Sequence, residues 1–199
     1  LQILYTSFGP DLFSYLVYWG WLEPTPVADF VLNYFLYFLF FMLAIGSVLL
    51  VARSGLSSVG FRVRNLKKTL VWGLGGGLGL FIAVMLVGFV IQLLVPELQP
   101  QPFEDVLRDV GDMRELLVML AVGSALAPLV EEVYFRGMVY PVMRKHLGVA
   151  WGIVVSGLFF GILHWDLWRA IPLALGGMGL AYIYERSRTI YAPWLAHGI

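Results

Sequence analysis

The sequence predicts an all-α protein, a polytopic bundle of transmembrane helices, and three observations support this prediction. Of the 199 residues, 60% are hydrophobic and 13% are charged, whereas a soluble domain is nearer half apolar and a quarter charged. The mean hydropathy is +0.82, and the apolar residues form runs of the roughly 20 residues that a helix needs to cross a bilayer. The basic residues gather between alternate runs. The length favours one integral membrane domain.

The apolar runs define the helices in chain order. The predicted spans are 27–52, 69–95, 115–143, 148–165 and 169–185, with a further span that starts near 189. Residues 1–22 are also apolar, but the sequence "GPD" at 9–11 interrupts them. They are predicted either to end an earlier helix or to lie in the membrane interface. The last run reaches Ile199 without a stop signal, so we expect the C-terminal region to be incomplete.

Charge placement predicts the orientation in the cell membrane. Nine of the thirteen Lys and Arg residues lie after the first, third and fifth spans: Arg53, Arg62, Arg64, Lys67, Lys68, Arg144, Lys145, Arg186 and Arg188. The loop 96–115 is mainly acidic. The positive-inside rule therefore makes the basic loops cytoplasmic, and it places Trp72 and Trp151 near the inner interface and Trp165 and Trp168 near the outer one.

Two regions follow from this layout. Residues 1–114 form an N-terminal transmembrane region with a basic cytoplasmic loop and an acidic external loop, and residues 115–199 carry the polar residues of the candidate site. The chain has no cysteine, which excludes disulfides and thiolate metal ligands. Its formal net charge is zero, which argues against a nucleic-acid partner and leaves membrane lipid as the expected surroundings.

Glycines recur at short spacing in three apolar runs. The stretch "WGLGGGLGL" at 72–80 matches a loose dinucleotide-binding pattern, but that pattern requires a strand–turn–helix setting that the apolar flanks do not offer. Small residues four apart, Gly73 with Gly77 and Gly75 with Gly79, instead favour close helix packing. "SGLFFG" and "GGMG", further along the chain, are interpreted in the same way.

Ionisable residues inside spans are rare and point to function. In "LVEEVYFRGMVYP", at 129–141, Glu132 and Arg136 are four residues apart with the glutamate first, the favourable order for an ion pair within a helix. Glu131 lies about 100° around the helix from Glu132. We therefore expect Glu131 to face a cavity as a candidate general base. The alternative is that the pair only fixes helix packing while Glu131 is held by a neighbour or protonated.

Two histidines approach from other spans. His164 ends the fourth span, with Phe160 one turn earlier on the same face, and His197 lies in "YAPWLAHGI". A single histidine near the end of a span is more often an interfacial residue, so the prediction depends on the whole group. From a rise of ~1.5 Å per residue, Glu131 and His164 lie roughly 20 and 24 Å from the cytoplasmic ends of their helices, whereas His197 lies nearer 12 Å. His146 is assigned to the basic loop.

The order of these residues resembles a known family. Glu131, Glu132 and Arg136 match an EExxxR motif, and Phe160 with His164 matches FxxxH. His197 stands where an HxxxN motif begins, whose Asn falls at position 201. These are the motifs of the CAAX protease and bacteriocin-processing family of intramembrane glutamic-type endopeptidases, and the resemblance covers residues 115–199.

The resemblance implies an all-helical bundle with an intramembrane catalytic cavity. Glu131 would activate a water molecule with support from His164, and His197 and the motif's Asn would stabilise the oxyanion. Glu132 and Arg136 would hold the site, and Phe160 is assigned to substrate binding. The implied substrate is a peptide or protein, prenylated in the CAAX prenyl endopeptidases of the family, and no cofactor is implied.

Three alternatives remain open at this point. A zinc-dependent version of the protease would use Glu and His ligands, although the sequence has no HExxH helix. A membrane peptide-binding or immunity protein would recognise a peptide without cutting it. A transporter is less favoured, because no internal repeat relates two halves of the chain.

Overall fold

The structure is a computed structural model that describes residues 2–98 and 102–199. It confirms the all-helical fold class, with seven helices and no strand among those residues. The helices are α1 (Gln2–Tyr18), α2 (Pro26–Val51), α3 (Leu66–Leu94), α4 (Pro102–Arg108), α5 (Met113–Ile162), α6 (Ala170–Ser187) and α7 (Tyr191–His197). A 3₁₀ turn occupies Leu56–Val59. Within the described ranges, α2, α3 and α5 are long and apolar enough to cross a membrane.

The long helix α5 contains two of the predicted spans. Gly148 divides it, with φ 78° and ψ 178°, a backbone conformation that glycine adopts without a steric penalty. The first limb of α5 is 113–147 and the second limb is 149–162. The predicted break between the third and fourth spans therefore lies at this glycine. At the N-terminus, by contrast, α1 continues through the "GPD" stretch, and Pro10 removes one backbone donor without ending the helix.

Two π-helical segments interrupt the first limb of α5. They occupy Val122–Leu126 and Phe135–Val139, and a proline follows each of them, Pro128 and Pro141. A proline ring excludes the carbonyl four residues earlier from normal helical bonding, and that carbonyl lies inside the π segment in both cases. The prolines thus account for the widened turns. Such turns are frequent at functional sites, and the second one contains Arg136.

The chain forms two compact units, and each draws on two stretches of sequence. One comprises 1–46 and 99–127, and the other comprises 47–98 and 128–199. In the first, Val27 and Phe30 of α2 form a core with Met119 and Val122 of α5. Phe103 of α4 packs on this core, with ring centroids 5.7 Å from Phe30. The predicted division at 114/115 stays a prediction.

In the second unit, glycines allow helices to approach closely. A Cβ on Gly177 of α6 would lie 3.0 Å from the Cα of Gly157 in α5, so the two backbones touch. A Cβ on Gly77 of α3 would lie 2.7 Å from the Cα of Ala196 in α7. The packing role predicted for these glycines is confirmed.

The second glycine pair of α3 behaves differently. A Cβ on Gly75 or Gly79 would meet nothing within 4 Å. The packing role predicted for this pair is wrong, because these residues lie on the side of the helix that faces away from its neighbours in the unit.

Candidate active site

Glu132 and Arg136 form a buried ion pair, as their spacing predicts. The Nη1 atom of Arg136 lies 2.7 Å from Oε1 of Glu132, and the two side chains are 2% and 0% exposed. Arg136 also donates from Nη2 to the carbonyl oxygen of Gly177, over 2.9 Å. Its guanidinium lies 5.7 Å from the ring centroid of Phe135 and 5.0 Å from that of Phe160. One cation therefore contacts a carboxylate and two rings of α5 and links them to a carbonyl of α6.

His197 contacts both glutamates. Its Nδ1 atom lies 2.8 Å from Oε1 of Glu132, within hydrogen-bond distance, and its Nε2 atom lies 3.9 Å from Oε2 of Glu131. The structure thus brings together three of the predicted site residues, Glu131, Glu132 and His197, although His197 lies 66 positions after Glu131 in the sequence. A single imidazole spans the two carboxylates.

The two glutamates have different surroundings. Glu132 is fully buried, whereas the side chain of Glu131 is 19% exposed and that of His197 is 24% exposed. The Oε2 atom of Glu132 is buried and has no hydrogen-bond partner among the described residues, although buried polar atoms are paired as a rule. Glu131 therefore remains accessible, while Glu132 is enclosed by its partners.

Phe160 lies at the centre of the group. It is 2% exposed, and its ring centroid is 4.8 Å from that of His164 and 5.9 Å from that of His197. His164 follows the end of α5 and is exposed, and its Nδ1 atom lies 2.8 Å from the carbonyl oxygen of Phe160. No hydrogen bond joins His164 directly to Glu131 in the described part of the chain, so its predicted support for that residue stays a prediction.

A buried turn places α7 at the right depth. Thr189 and Ile190 are 1% and 0% exposed, and the Ile190 N–H donates to the carbonyl oxygen of Gly60 over 2.9 Å. The helix therefore starts inside the unit and not at a surface loop. This explains why His197 reaches the glutamates although a helix counted from a surface start at 189 places it too shallow.

Two contributors to the site escape sequence analysis. The carbonyl of Gly177 holds Arg136, but every residue has a carbonyl, and the stretch "GGMG" carries only a packing signal. Phe135 contributes a ring to the Arg136 guanidinium and stands out in the sequence only as an aromatic residue beside a charged one. Neither role could be read without the packing of α6 on α5.

A small apolar cavity adjoins the site. Its volume is about 150 Å³, and Phe160 and His197 line one side of it. The other walls are apolar and come from α3 and α6, including Phe81, Val84 and Leu173. The cavity offers an apolar group a position beside the imidazole of His197.

A zinc ion would need a set of ligands that converge on one point. Within 2–98 and 102–199, no group of three or more His, Asp or Glu side chains is placed to hold a metal ion. Glu132 already accepts hydrogen bonds from Arg136 and His197. The described residues therefore show no converging set of zinc ligands, and the metal requirement stays a prediction.

Comparison with known proteins finds a family model that matches the C-terminal part of the chain. Residues 113–199 match the Rce1-like family, described as type II CAAX prenyl endopeptidase Rce1-like. The chain is also 29% identical over 80 residues to the "Putative membrane peptidase YdiL" of Bacillus subtilis (strain 168). That match covers 40% of this chain and 33% of the relative, so the matched region spans about a third of the relative's length. No solved structure matches the chain significantly.

The matched region begins with α5 and contains every residue of the site described above. Together with the three apolar helices, the match makes the protein a multi-pass membrane protein. Residues 113–199 are therefore similar to the type II CAAX prenyl endopeptidase Rce1-like family.

Proposed function

We propose that the protein is a membrane-embedded endopeptidase that hydrolyses a peptide bond with water activated by Glu131. The observation that carries the proposal is the position of His197, whose two ring nitrogens face Glu132 at 2.8 Å and Glu131 at 3.9 Å. Ionisable groups in a membrane span are costly and seldom present without a role. The family match supports the same reaction class.

The accessible glutamate is the proposed base. Glu131 takes a proton from water while the water oxygen attacks the scissile carbonyl carbon, and it then gives that proton to the leaving amine nitrogen. The hydrolysis therefore needs no reactant other than the peptide and water. Glu132 does not act as the base in this proposal, because Arg136 and His197 already occupy one of its oxygens.

His197 and His164 complete the proposed machinery. With Nδ1–H donating to Glu132, His197 directs Nε2 towards Glu131. A second proton on Nε2 would let the ring donate a hydrogen bond there to the oxyanion that forms on the substrate carbonyl. His164 supports Glu131 at the exposed side of the site. Phe160 packs against the rings of His164 and His197 and lines the small cavity, so we assign it a contact with a substrate side chain.

The proposed substrate is a membrane-associated peptide or protein, and the proposed location is the cell membrane with the basic loops in the cytoplasm. The family description names prenyl endopeptidases, so a farnesylated CAAX-type peptide and the same peptide without the lipid are the first probes. Cleavage of the farnesylated peptide alone would define a prenyl endopeptidase. Cleavage of both would define a broader peptidase.

The decisive variant is Glu131→Gln, which keeps the shape of the side chain and removes the base. We expect loss of about 10²–10⁴-fold in the cleavage rate, with the melting temperature of the purified protein unchanged. Glu115→Gln, which changes a partly exposed carboxylate on the same helix, is the matched control and should cleave normally. Wild-type rates in Glu131→Gln would overturn the proposal, and peptide binding without cleavage by the unaltered protein would identify a binding or immunity protein.

No metal takes part in the proposed reaction. We expect cleavage to survive a strong chelator, and elemental analysis of the purified protein to show zinc well below one atom per chain. Chelator inactivation reversed by zinc would favour the zinc-dependent version of the peptidase.

A further inference from the structure

A second and larger cavity lies away from the glutamates and histidines. Its volume is about 670 Å³, and it opens at the end of α6, beside the start of α3 and the second limb of α5. Charged residues line one part of it, namely Lys68, Glu185, Arg186 and Arg188. None of these residues belongs to the candidate active site.

The cations of this cavity outnumber the anion, and the anion is already engaged. Glu185 accepts a hydrogen bond from the hydroxyl of Tyr140 at 2.7 Å, and it pairs with Arg144 at 3.0 Å and with Arg188. Lys68 and Arg186 have no carboxylate within ion-pair distance in the described ranges. Two positive charges therefore remain uncompensated at the mouth of the cavity.

Arg186 is held in place by aromatic rings. Its guanidinium lies 5.5 Å from the ring centroid of Trp72 and 5.9 Å from that of Tyr182. Such stacking fixes the plane of the guanidinium while its N–H donors remain available at the edge. A planar fork of this kind suits the oxygens of a phosphate group.

The rest of the wall is apolar and lies at an interfacial level. Val149, Ala150 and Ile153 line the cavity just after the break at Gly148. Trp151, on the same limb, is 66% exposed, as is typical of a tryptophan at the membrane–water boundary. A ligand for this cavity therefore needs a phosphate at one end and hydrocarbon at the other.

We propose that this cavity binds one anionic phospholipid. The headgroup phosphate contacts Lys68 and Arg186, and an acyl chain lies along Val149 and Ile153. Basic pockets between transmembrane helices are suited to such headgroups. The lipid would hold together the start of α3, the second limb of α5 and the end of α6 on the side that carries the basic loops.

The test is lipid binding, which needs no substrate and so is independent of the proposed peptidase activity. Phosphatidylglycerol is titrated into the protein in a neutral detergent, and native mass spectrometry counts the lipids retained per chain. We expect one phosphatidylglycerol per chain and weaker retention of phosphatidylcholine. Equal retention of the two lipids would overturn the proposal.

Charge variants show whether the cavity itself binds the lipid. At ~1 kcal/mol per basic residue, the Lys68→Gln/Arg186→Gln double variant should lose about 25-fold in affinity. The matched control is Arg64→Gln/Lys67→Gln, which removes two neighbouring exposed charges outside the cavity and should lose less than about twofold in salt. Equal losses in the two double variants would show that the lipid reads only the general charge of the loops.

One further variant and one competition measurement complete the test. Lys68→Gln alone should lose about fivefold and leaves the stacking of Arg186 intact, so a folding defect in the double variant does not decide the result. Inorganic phosphate at the concentration of the lipid should not displace it, because phosphate makes no contact with the apolar wall. Displacement would identify a site for a soluble phosphate compound and overturn the lipid assignment.

Discussion

Arg136 and Glu132 show how a buried charge is made tolerable in a helix that crosses a membrane. Either residue, buried alone, would carry a desolvation cost of several kcal/mol, because its charge would have no partner. Together they form a 2.7 Å pair. The carbonyl of Gly177 accepts a second hydrogen bond from Arg136, and His197 lies within hydrogen-bond distance of the same Glu132 oxygen that Arg136 contacts. The pair is therefore a mutual requirement, which gives it a clear mutational signature.

Arg136→Met should destabilise the protein by about 3–5 kcal/mol, because Glu132 would remain buried without its cation. The double variant Glu132→Gln/Arg136→Met should recover most of that loss. Unfolding of the purified protein in detergent, followed by heat or denaturant, measures both. Arg108→Met, which removes an arginine whose side chain is 67% exposed, should change stability by about 1 kcal/mol or less. A double variant as unstable as Arg136→Met would contradict mutual compensation.

The sequence predicts the partners of a residue only along its own helix. The spacing of Glu132 and Arg136 predicts their pair, and the angle around the helix correctly separates Glu131 from Glu132. The contact of His197 with Glu132 is beyond such reasoning, because it depends on where a distant turn enters the unit. The catalytic roles of these residues stay predictions that the cleavage assay tests.

At the scale of elements, the contact between α5 and α6 positions the site. Gly157 and Gly161 of α5 face α6 so closely that added side chains would meet its backbone. The carbonyl of Gly177, on the facing side of α6, is the one that holds Arg136. Any separation of these two helices therefore also disturbs the ion pair.

Gly157→Ala should lower both stability and activity. Its new Cβ would lie 2.6 Å from the backbone nitrogen of Met178, and overpacking of this kind costs about 1–3 kcal/mol. Gly79→Ala is the matched control, since a Cβ there meets nothing within 4 Å. Melting temperatures in detergent compare the two variants, and a Gly157→Ala protein as stable as Gly79→Ala would show that the helices can separate freely.

Asp166 caps the turn that precedes α6 with its side chain. Its Oδ1 atom accepts the backbone N–H groups of Arg169 at 3.0 Å and Trp168 at 3.1 Å, and its Oδ2 atom pairs with the Arg169 guanidinium. The backbone hydrogen bond from Arg169 is the largest cause that lowers the pKa of Asp166. A carboxyl whose pKa is lower in the folded protein stabilises it above the unfolded pKa of about 3.9. That stabilisation disappears as the pH falls through the folded value.

Asp166→Ala should therefore cost about 1 kcal/mol near neutral pH, and the difference from the unaltered protein should shrink below about pH 4. Asp166→Asn keeps an acceptor for the backbone and should lose less at neutral pH. Thermal unfolding at a series of pH values provides the comparison. A difference that stays constant down to pH 3 would show that the charge of Asp166 contributes nothing.

Element boundaries follow from the sequence where the physical cause is local. Gly148 ends the first limb of α5 as the break between two apolar runs predicts, and Pro128 and Pro141 account for the π segments once their position is known. The packing role predicted for Gly73 is confirmed and that predicted for Gly75 is wrong. The sequence did not separate the two glycines, because both lie in the same apolar run. In a membrane, a face that meets lipid and a face that meets a helix are both apolar, so hydropathy alone does not separate them.

At the scale of the whole molecule, charge rather than hydropathy carries the prediction of orientation. The apolar runs locate the spans. The basic residues at 53–68 lie around the start of α3, those at 144–145 lie just before the break in α5, and those at 186–188 lie at the end of α6. In the second unit, the loop 163–169 joins the opposite ends of α5 and α6, and there Trp165 is 86% exposed. The positive-inside rule predicts that the basic ends are cytoplasmic, and the side of the membrane from which the proposed active site is reached depends on that prediction.

Single cysteines can test this orientation directly, because residues 1–199 contain none. Ser57→Cys lies in the exposed 3₁₀ turn of the basic loop, and Leu167→Cys replaces a side chain that is 80% exposed in the loop 163–169. A membrane-impermeant maleimide should label Leu167→Cys in intact cells and Ser57→Cys only after the membrane is permeabilised. The unaltered protein, with no thiol, gives the background in both conditions. The reverse pattern would place the basic loops outside and leave the positive charges, including those of the proposed lipid cavity, on the external face. Labelling of both positions in intact cells would show that no membrane separates them, which would contradict the predicted orientation.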